Sequence, residues 1–300
     1  MHQAKLMDGR VVAAAVHERT RERVEKLRQR GIEPAVTFFR VGDDPASELY
    51  VRMKEKRAKE VGIRSEVVVL PERTTEGELL ARLEERNADC GVHGILVQMP
   101  LPRQIRAEAV CRTIDPSKDI DGFHPVNAGK LLLGEPSGFP PCTPSGICEL
   151  FRYYGLVTAG ADVVILGRSN IVGKPLAALL LGKGAQGDAT VTVLHSRSRH
   201  IPEHCRRADF LIAALGRAEF VRGGMIKPGA VVVDVGVSRL PDGSLAEGSR
   251  VVGDVHFEEA RRTAAWLTPN PGGVGPMTIA MLLANTAKAA EELAGRDVTP

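Results

Sequence analysis

No stretch of this 300-residue sequence is apolar for long enough to span a bilayer, so a membrane protein is not expected. The opening residues Met1-His2-Gln3-Ala4-Lys5 form no apolar signal core and lead to Asp8 and a charged helix, which argues against secretion. The cysteines Cys90, Cys111, Cys142, Cys148 and Cys205 are odd in number and include no Cys-x-x-Cys pair. That pattern suits free thiols in a reducing cytoplasm better than disulfides. His200, His204 and Cys205 have helical spacing but no fourth ligand group nearby, so no metal site is expected. Asp115, Asp119 and Asp121 lack the downstream Glu of a calcium loop. A strong charge imbalance is also missing. The net charge of +3 is too small to indicate a nucleic-acid partner, and the Arg-rich stretch from Arg19 to Arg30 reads as a solvated helix face. There is no internal repeat and no low-complexity segment.

What remains is an ordinary globular composition, 43% hydrophobic and 26% charged, at a length that suits two domains. The first half alternates helix and strand. Helices are expected from Gly9 to Arg30, around Lys54, and from Thr75 to Asn87; strands are expected at Ala35–Val41, Ser65–Leu70 and Gly94–Gln98. Strands separated by helices imply right-handed crossovers and a mostly parallel sheet. Arg40, near the end of its strand, suggests that the strand exposes its last residue. Pro136, Pro140, Pro141 and Pro144 mark a linker and the domain boundary, followed by a helix from Ser145 to Tyr154. Short apolar strands then recur at Asp162–Leu166, Thr190–His195, Phe210–Ala214 and Ala230–Val235, as in a buried parallel sheet. A helix is expected at Gly173–Leu181, and another closes the chain from about Met277 to Leu293.

One helix opening carries chemistry. In Asp43-Asp44-Pro45-Ala46-Ser47-Glu48-Leu49-Tyr50-Val51-Arg52-Met53-Lys54, Asp44 can cap the helix and Pro45 suits its first position. Ser47, Tyr50 and Lys54 then fall at i, i+3 and i+7, on one stripe. A flat ring and an amine on one face can stack an aromatic substrate and polarise it. The plainer alternative is an amphipathic helix whose Lys reaches water.

A second motif points to a nucleotide. The strand Asp162–Leu166 runs into Gly167-Arg168-Ser169-Asn170-Ile171-Val172-Gly173-Lys174-Pro175, a strand, glycine turn and helix of the dinucleotide-binding kind. Ser169 stands where the second glycine is usual. A triphosphate loop is excluded, because the glycines are too far apart and Pro175 replaces the Ser or Thr that would hold magnesium. The next strand ends Val193-Leu194-His195-Ser196-Arg197-Ser198-Arg199, without the acid that would hold the ribose of NAD. Ser196 and Arg197 suit a 2'-phosphate, and Arg168 adds a positive contact, so NADP is the expected cofactor.

Three further stretches complete a pattern: Gly94-Ile95-Leu96-Val97-Gln98-Met99-Pro100-Leu101-Pro102, Lys118-Asp119-Ile120-Asp121-Gly122-Phe123-His124-Pro125, and Thr268-Pro269-Asn270-Pro271-Gly272-Gly273-Val274-Gly275-Pro276-Met277-Thr278. With the Tyr50–Lys54 helix and the Gly167 turn, the chain resembles the bifunctional methylenetetrahydrofolate dehydrogenase/methenyltetrahydrofolate cyclohydrolase family over nearly its whole length. The resemblance implies two α/β domains across a cleft, the second a Rossmann-type parallel sheet. The first, residues 1–141 joined by the C-terminal helix 277–300, would bind folate, and residues 142–276 would bind NADP. It implies a cytoplasmic homodimer serving one-carbon metabolism and purine biosynthesis.

Residue roles follow from the same resemblance. Lys54 would be the catalytic lysine, Tyr50 the ring against the substrate, Gln98 the partner that tunes Lys54, and Asp121 the holder of the pterin. Ser47 and the loop residues Pro271, Gly272 and Gly273 would also contact the folate. NADP would meet Gly167, Arg168, Ser169, Ile171, Val172, Gly173, Ser196, Arg197, Gly216 and Val237. Whether Lys54 acts as a neutral base or as a relay stays open, as do a dehydrogenase without cyclohydrolase and a non-catalytic NADP sensor. Two departures stand out: Asn270 occupies a position where a small apolar residue is usual, and Thr37-Phe38-Phe39-Arg40 is bulkier and more polar than the expected aliphatic strand.

Overall fold

The computed structural model describes residues 3–241 and 248–296; Met1 and His2, part of the N-terminal reading above, lie outside the described residues. Eleven strands occur among the described residues: β1 (Lys5–Leu6), β2 (Ala35–Val41), β3 (Arg64–Leu70), β4 (Gly94–Val97), β5 (Asp162–Leu166), β6 (Thr190–Leu194), β7 (Phe210–Ala213), β8 (Val231–Asp234), β9 (Ser238–Pro241), β10 (Ser249–Val252) and β11 (Trp266–Leu267). The helices are α1 (Gly9–Gln29), α2 (Pro45–Glu60), α3 (Glu76–Ala88), α4 (Ala107–Thr113), α5 (Pro125–Leu133), α6 (Cys142–Tyr153), α7 (Gly173–Leu181), α8 (Ile201–Cys205), α9 (Phe257–Thr263) and α10 (Val274–Arg296). The chain divides into two compact units, Ala14–Cys142 with Ile279–Pro300, and Met1–Ala13 with Thr143–Thr278.

The 14–142 unit is built on a three-stranded parallel sheet in the order β3-β2-β4. Its central strand β2 is buried at all seven positions. Side chains alternate across a strand, so Val36 and Phe38 enter one apolar cluster with Val51 and Ala58 of α2, while Phe39 and Val41 enter another with Leu79 and Leu83 of α3. The two bulky phenylalanines therefore fill opposite faces, which accounts for an unusually large strand. The expected exposure at the end of β2 is corrected: Arg40 and Val41 are both buried. Arg40 is tolerated there because its guanidinium lies 3.6 Å from the Glu48 carboxylate on α2.

The 143–278 unit carries a six-stranded sheet in the order β1-β11-β8-β7-β5-β6, parallel at each pairing. Residues up to Ala13 belong to it because β1 pairs with β11. Near-continuous Val, Ile and Leu bury β5, β7 and β8 on both faces, the pattern of a covered parallel sheet. Strand order reverses at β5, whose neighbours are β6 on one side and β7 on the other, and such a switch point opens a crevice at the carboxyl ends of the strands. The α/β class and the Rossmann-type parallel sheet expected from the sequence are both present.

Candidate active site

In the 14–142 unit, α2 begins as its sequence dictates. The Asp44 carboxylate accepts the Ser47 amide at 2.8 Å and Pro45 occupies the first turn. That start sets the phase of the stripe. Ser47 is buried, Tyr50 is 48% exposed so that its ring is open to a ligand, and Lys54 lies between these extremes.

Lys54 is not the solvated lysine of the plainer reading. Its Nζ donates to Oε1 of Gln98 at 2.9 Å, and Nε2 of Gln98 donates to the Met99 carbonyl at 2.7 Å, which fixes the amide so that oxygen faces the amine. Gln98 follows β4, which pairs in register with β2, and the chain then returns to β4 through the Ile95–Asp119 bridge. Asp121 lies two residues past that bridge. Its loop is pinned on several sides: the Cys142 thiol and Asn285 Nδ2 both donate to the Ile120 carbonyl, at 3.3 and 2.9 Å. The Asp119 carboxylate accepts from the amides of Phe123 and His124 and from Asn127 Nδ2, at 3.2, 2.8 and 2.8 Å.

Burial sets the electrostatics of this group. It pushes the proton affinity of Lys54 below the ordinary lysine value, against the pull of Asp121 and Cys142, which favour the ammonium. It pushes the Asp121 carboxyl above its ordinary value, against the pull of Lys54. The Cys142 thiol is driven well up by the same cause. Desolvation thus favours the uncharged form of all three groups. Sequence reasoning singled out Lys54, Gln98 and Asp121 but gave no role to Asp119, in the same motif, or to Cys142, whose partners Ile120 and Asn285 are far away in the chain.

In the 143–278 unit, the residues expected to meet a dinucleotide sit at the carboxyl ends of four adjacent strands. Gly167 follows β5, Ser196 and Arg197 follow β6, Gly216 follows β7 and Val237 follows β8. Gly167 has φ +121, and a Cβ there would run into the Ala214 carbonyl, so only glycine can make this turn. Its amide donates to the Leu194 carbonyl at 2.8 Å, which sets the glycine turn beside the end of β6. Ser169 uses its hydroxyl locally, accepting from the amides of Val172 and Gly173 at the start of α7 at 3.1 and 3.4 Å. Beyond β6, the His195 amide donates to Ser198 Oγ and the Arg197 amide to His195 Nδ1, at 3.0 and 3.2 Å. This turn leaves Ser196 and Arg197 exposed, and Arg168, Ile171 and Val237 are exposed as well. A tight glycine turn, exposed guanidiniums and no acid at the end of β6 fit a phosphorylated dinucleotide. Pro271 is exposed, Gly272 partly so and Gly273 buried, in the loop that follows β11.

The family model of the tetrahydrofolate dehydrogenase/cyclohydrolase catalytic domain matches residues 7–121, and that of the tetrahydrofolate dehydrogenase/cyclohydrolase NAD(P)-binding domain matches residues 141–294. The chain belongs to the tetrahydrofolate dehydrogenase/cyclohydrolase family. Among relatives of this family, bifunctional protein FolD of Acetivibrio thermocellus is 50% identical over 289 residues, 96% of this chain and 98% of the relative. That of Prosthecochloris aestuarii is 52% identical over 283 residues, 94% and 96% of the two chains. The crystal structure of the bifunctional FolD methylenetetrahydrofolate dehydrogenase/cyclohydrolase from Campylobacter jejuni shares 46% identity and a TM-score of 0.91, covering 96% of this chain and 99% of that one. The Trypanosoma brucei N5,N10-methylenetetrahydrofolate dehydrogenase-cyclohydrolase, complexed with NADP cofactor and inhibitor, has 41% identity and a TM-score of 0.91 over the full length of both chains.

Proposed function

We propose that the chain oxidises 5,10-methylenetetrahydrofolate with NADP to 5,10-methenyltetrahydrofolate and hydrolyses that product to 10-formyltetrahydrofolate. The observation that carries the reading is the half-buried Lys54–Gln98 hydrogen bond beside Asp121, within a chain that belongs to the tetrahydrofolate dehydrogenase/cyclohydrolase family. NADP, when bound, supplies the acceptor for the hydride that leaves the one-carbon methylene. Gly167, Arg168, Ser169, Ile171, Val172, Gly173, Gly216 and Val237 would hold it, with Ser196 and Arg197 on the 2'-phosphate.

The folate half falls to the 14–142 unit. The Tyr50 ring stacks on the substrate, Ser47 supports it, and the Asp121 carboxyl takes the adjacent N–H donors of the pterin. Pro271, Gly272 and Gly273 are assigned to the substrate on the family resemblance. Oxidation of a methylene flanked by two nitrogens needs alignment more than a strong base.

Hydrolysis makes a different demand. The methenyl product is an amidinium-like cation that must be attacked by water, and the attacking water must lose a proton. Lys54, held below its ordinary proton affinity by burial, is suited to accept that proton, and the Gln98 carboxamide oxygen keeps the amine in place. An uncharged lysine also avoids repelling the cation. Action in the cytoplasm as a homodimer, supplying one-carbon units to purine biosynthesis, is part of the same reading and rests on the family resemblance. No described helix is long and apolar enough to cross a membrane.

The test is an assay with methylenetetrahydrofolate and either NADP or NAD that follows formation and decay of the methenyl chromophore separately. The expected result is NADP-dependent formation followed by decay. In Lys54→Met the decay should fall at least about a hundredfold while NADPH still binds. No chromophore with either cofactor, or wild-type decay in Lys54→Met, would sink the proposal.

A further inference from the structure

Two buried carboxylates of the 143–278 unit take no part in the chemistry above, yet each is saturated with backbone donors. Asp254 is fully buried; its Oδ2 accepts from the amides of Leu215 and Gly216 at 2.5 and 2.9 Å, and its Oδ1 from that of Arg217 at 2.7 Å. Asp234 is 4% exposed; its Oδ1 accepts from the amides of Gly236 and Asp254 at 3.1 and 2.8 Å, and its Oδ2 from that of Val255 at 3.1 Å. Asn270, one of the two departures from the family pattern, adds a third tie, its Nδ2 donating to the Gly236 carbonyl. The approach is very close. A Cβ on Gly236 would collide with the Asp254 carboxylate, and one on Gly253 with both the Asp234 carboxylate and the Asn270 amide.

Burying a carboxylate is unfavourable unless hydrogen bonds compensate, and here burial raises Asp234 to about 7 despite its three amides. A neutral side chain of similar size could not accept three amides, because it would lack the second acceptor oxygen. These groups fasten the segments that follow β7 and β8, and Asp234 also holds the Asp254–Val255 stretch after β10 that carries the first carboxylate. The segments after β7 and β8 include Gly216 and Val237, two residues assigned above to the dinucleotide.

We propose that Asp254, Asp234 and Asn270 are positioning residues for NADP, fixing the backbone at 215–217 and 236–237 on which the cofactor rests. The proposal depends on the cofactor assignment made above. These three residues act through the two segments, and their effect therefore falls on cofactor affinity and leaves hydrolysis of methenyltetrahydrofolate in place.

The experiment is a fluorescence titration with NADPH, using the full chain and its Asp254→Asn variant, alongside the methenyl hydrolysis rate of each. In Asp254→Asn the Kd for NADPH and the KM for NADP should rise about tenfold or more. The KM for methylenetetrahydrofolate and the hydrolysis rate should stay within about twofold. An unchanged Kd overturns the proposal, and so does a parallel loss of NADPH binding and hydrolysis, which would mark a role in folding alone. Should Asp254→Asn not yield soluble protein, Asn270→Ala takes its place, with an expected rise in Kd of about threefold to tenfold and the same overturning results. Wild-type protein that binds no NADPH would instead refute the cofactor assignment. Tight wild-type binding matched by the variants would refute only the positioning roles.

Discussion

An amine can accept a proton near neutrality only if its surroundings lower its affinity for one. At Lys54 the lowering comes from burial, while the Asp121 carboxylate works in the opposite direction by favouring the ammonium. In Asp121→Asn the opposing anion is gone, so the Lys54 proton affinity drops further, and the rising limb of the cyclohydrolase kcat against pH should move to lower pH than in the wild type. A limb that stays in place or moves up would show that Lys54 does not govern it. The stripe of Ser47, Tyr50 and Lys54 was legible because helical spacing is local, and Asp44 and Pro45 announced where the helix begins. Cys142 and Asp119 were not legible. Cys142 reaches Asp121 from the start of α6, in a segment whose prolines read as a linker, and the Asp119 carboxylate shapes the loop by accepting from Phe123, His124 and Asn127 once the chain has turned there. Nothing in the neighbourhood of Cys142 marks it, and the motif around Asp119 does not show which atoms its carboxylate will hold.

Among elements, β2 shows what periodicity can and cannot reveal. Its bounds were readable from a run of apolar residues, because a central parallel strand is buried on both faces. The burial of Arg40 was not readable, since it depends on Glu48 arriving from α2. Phe38 lies fully buried against α2 and the C-terminal helix, so Phe38→Ala should destabilise the fold by about 3–5 kcal/mol, measured by denaturant unfolding. A loss below about 1 kcal/mol would mean that the cluster collapses around the gap. Elements absent from the sequence reading are short or distant in pairing. α4, α5, α8 and α9 are too brief to develop a clear helical period, and β1 exists only because Lys5 and Leu6 pair with Trp266 and Leu267. The antiparallel pair β9 and β10 carries few of the apolar residues that betray a strand.

For the whole molecule, each unit has its own sheet and its own apolar clusters, and the two assigned activities draw on them unequally. On the proposed assignment, dehydrogenation draws on the cofactor-binding strand ends of the 143–278 unit and hydrolysis on the Lys54 group. Arg197→Ala should therefore weaken NADP binding about tenfold to a hundredfold, narrow the preference for NADP over NAD, and leave methenyl hydrolysis near its wild-type rate. An unchanged ratio of NADP to NAD affinity would remove Arg197 from the 2'-phosphate. The four amides of Leu215, Gly216, Arg217 and Gly236 held by Asp254 and Asp234 bear on affinity in another way. Loops tied down in the free protein lose their conformational entropy when the chain folds, not when the dinucleotide arrives. Association then has little disorder left to remove, and the full strength of each phosphate and ribose contact is available to hold the cofactor.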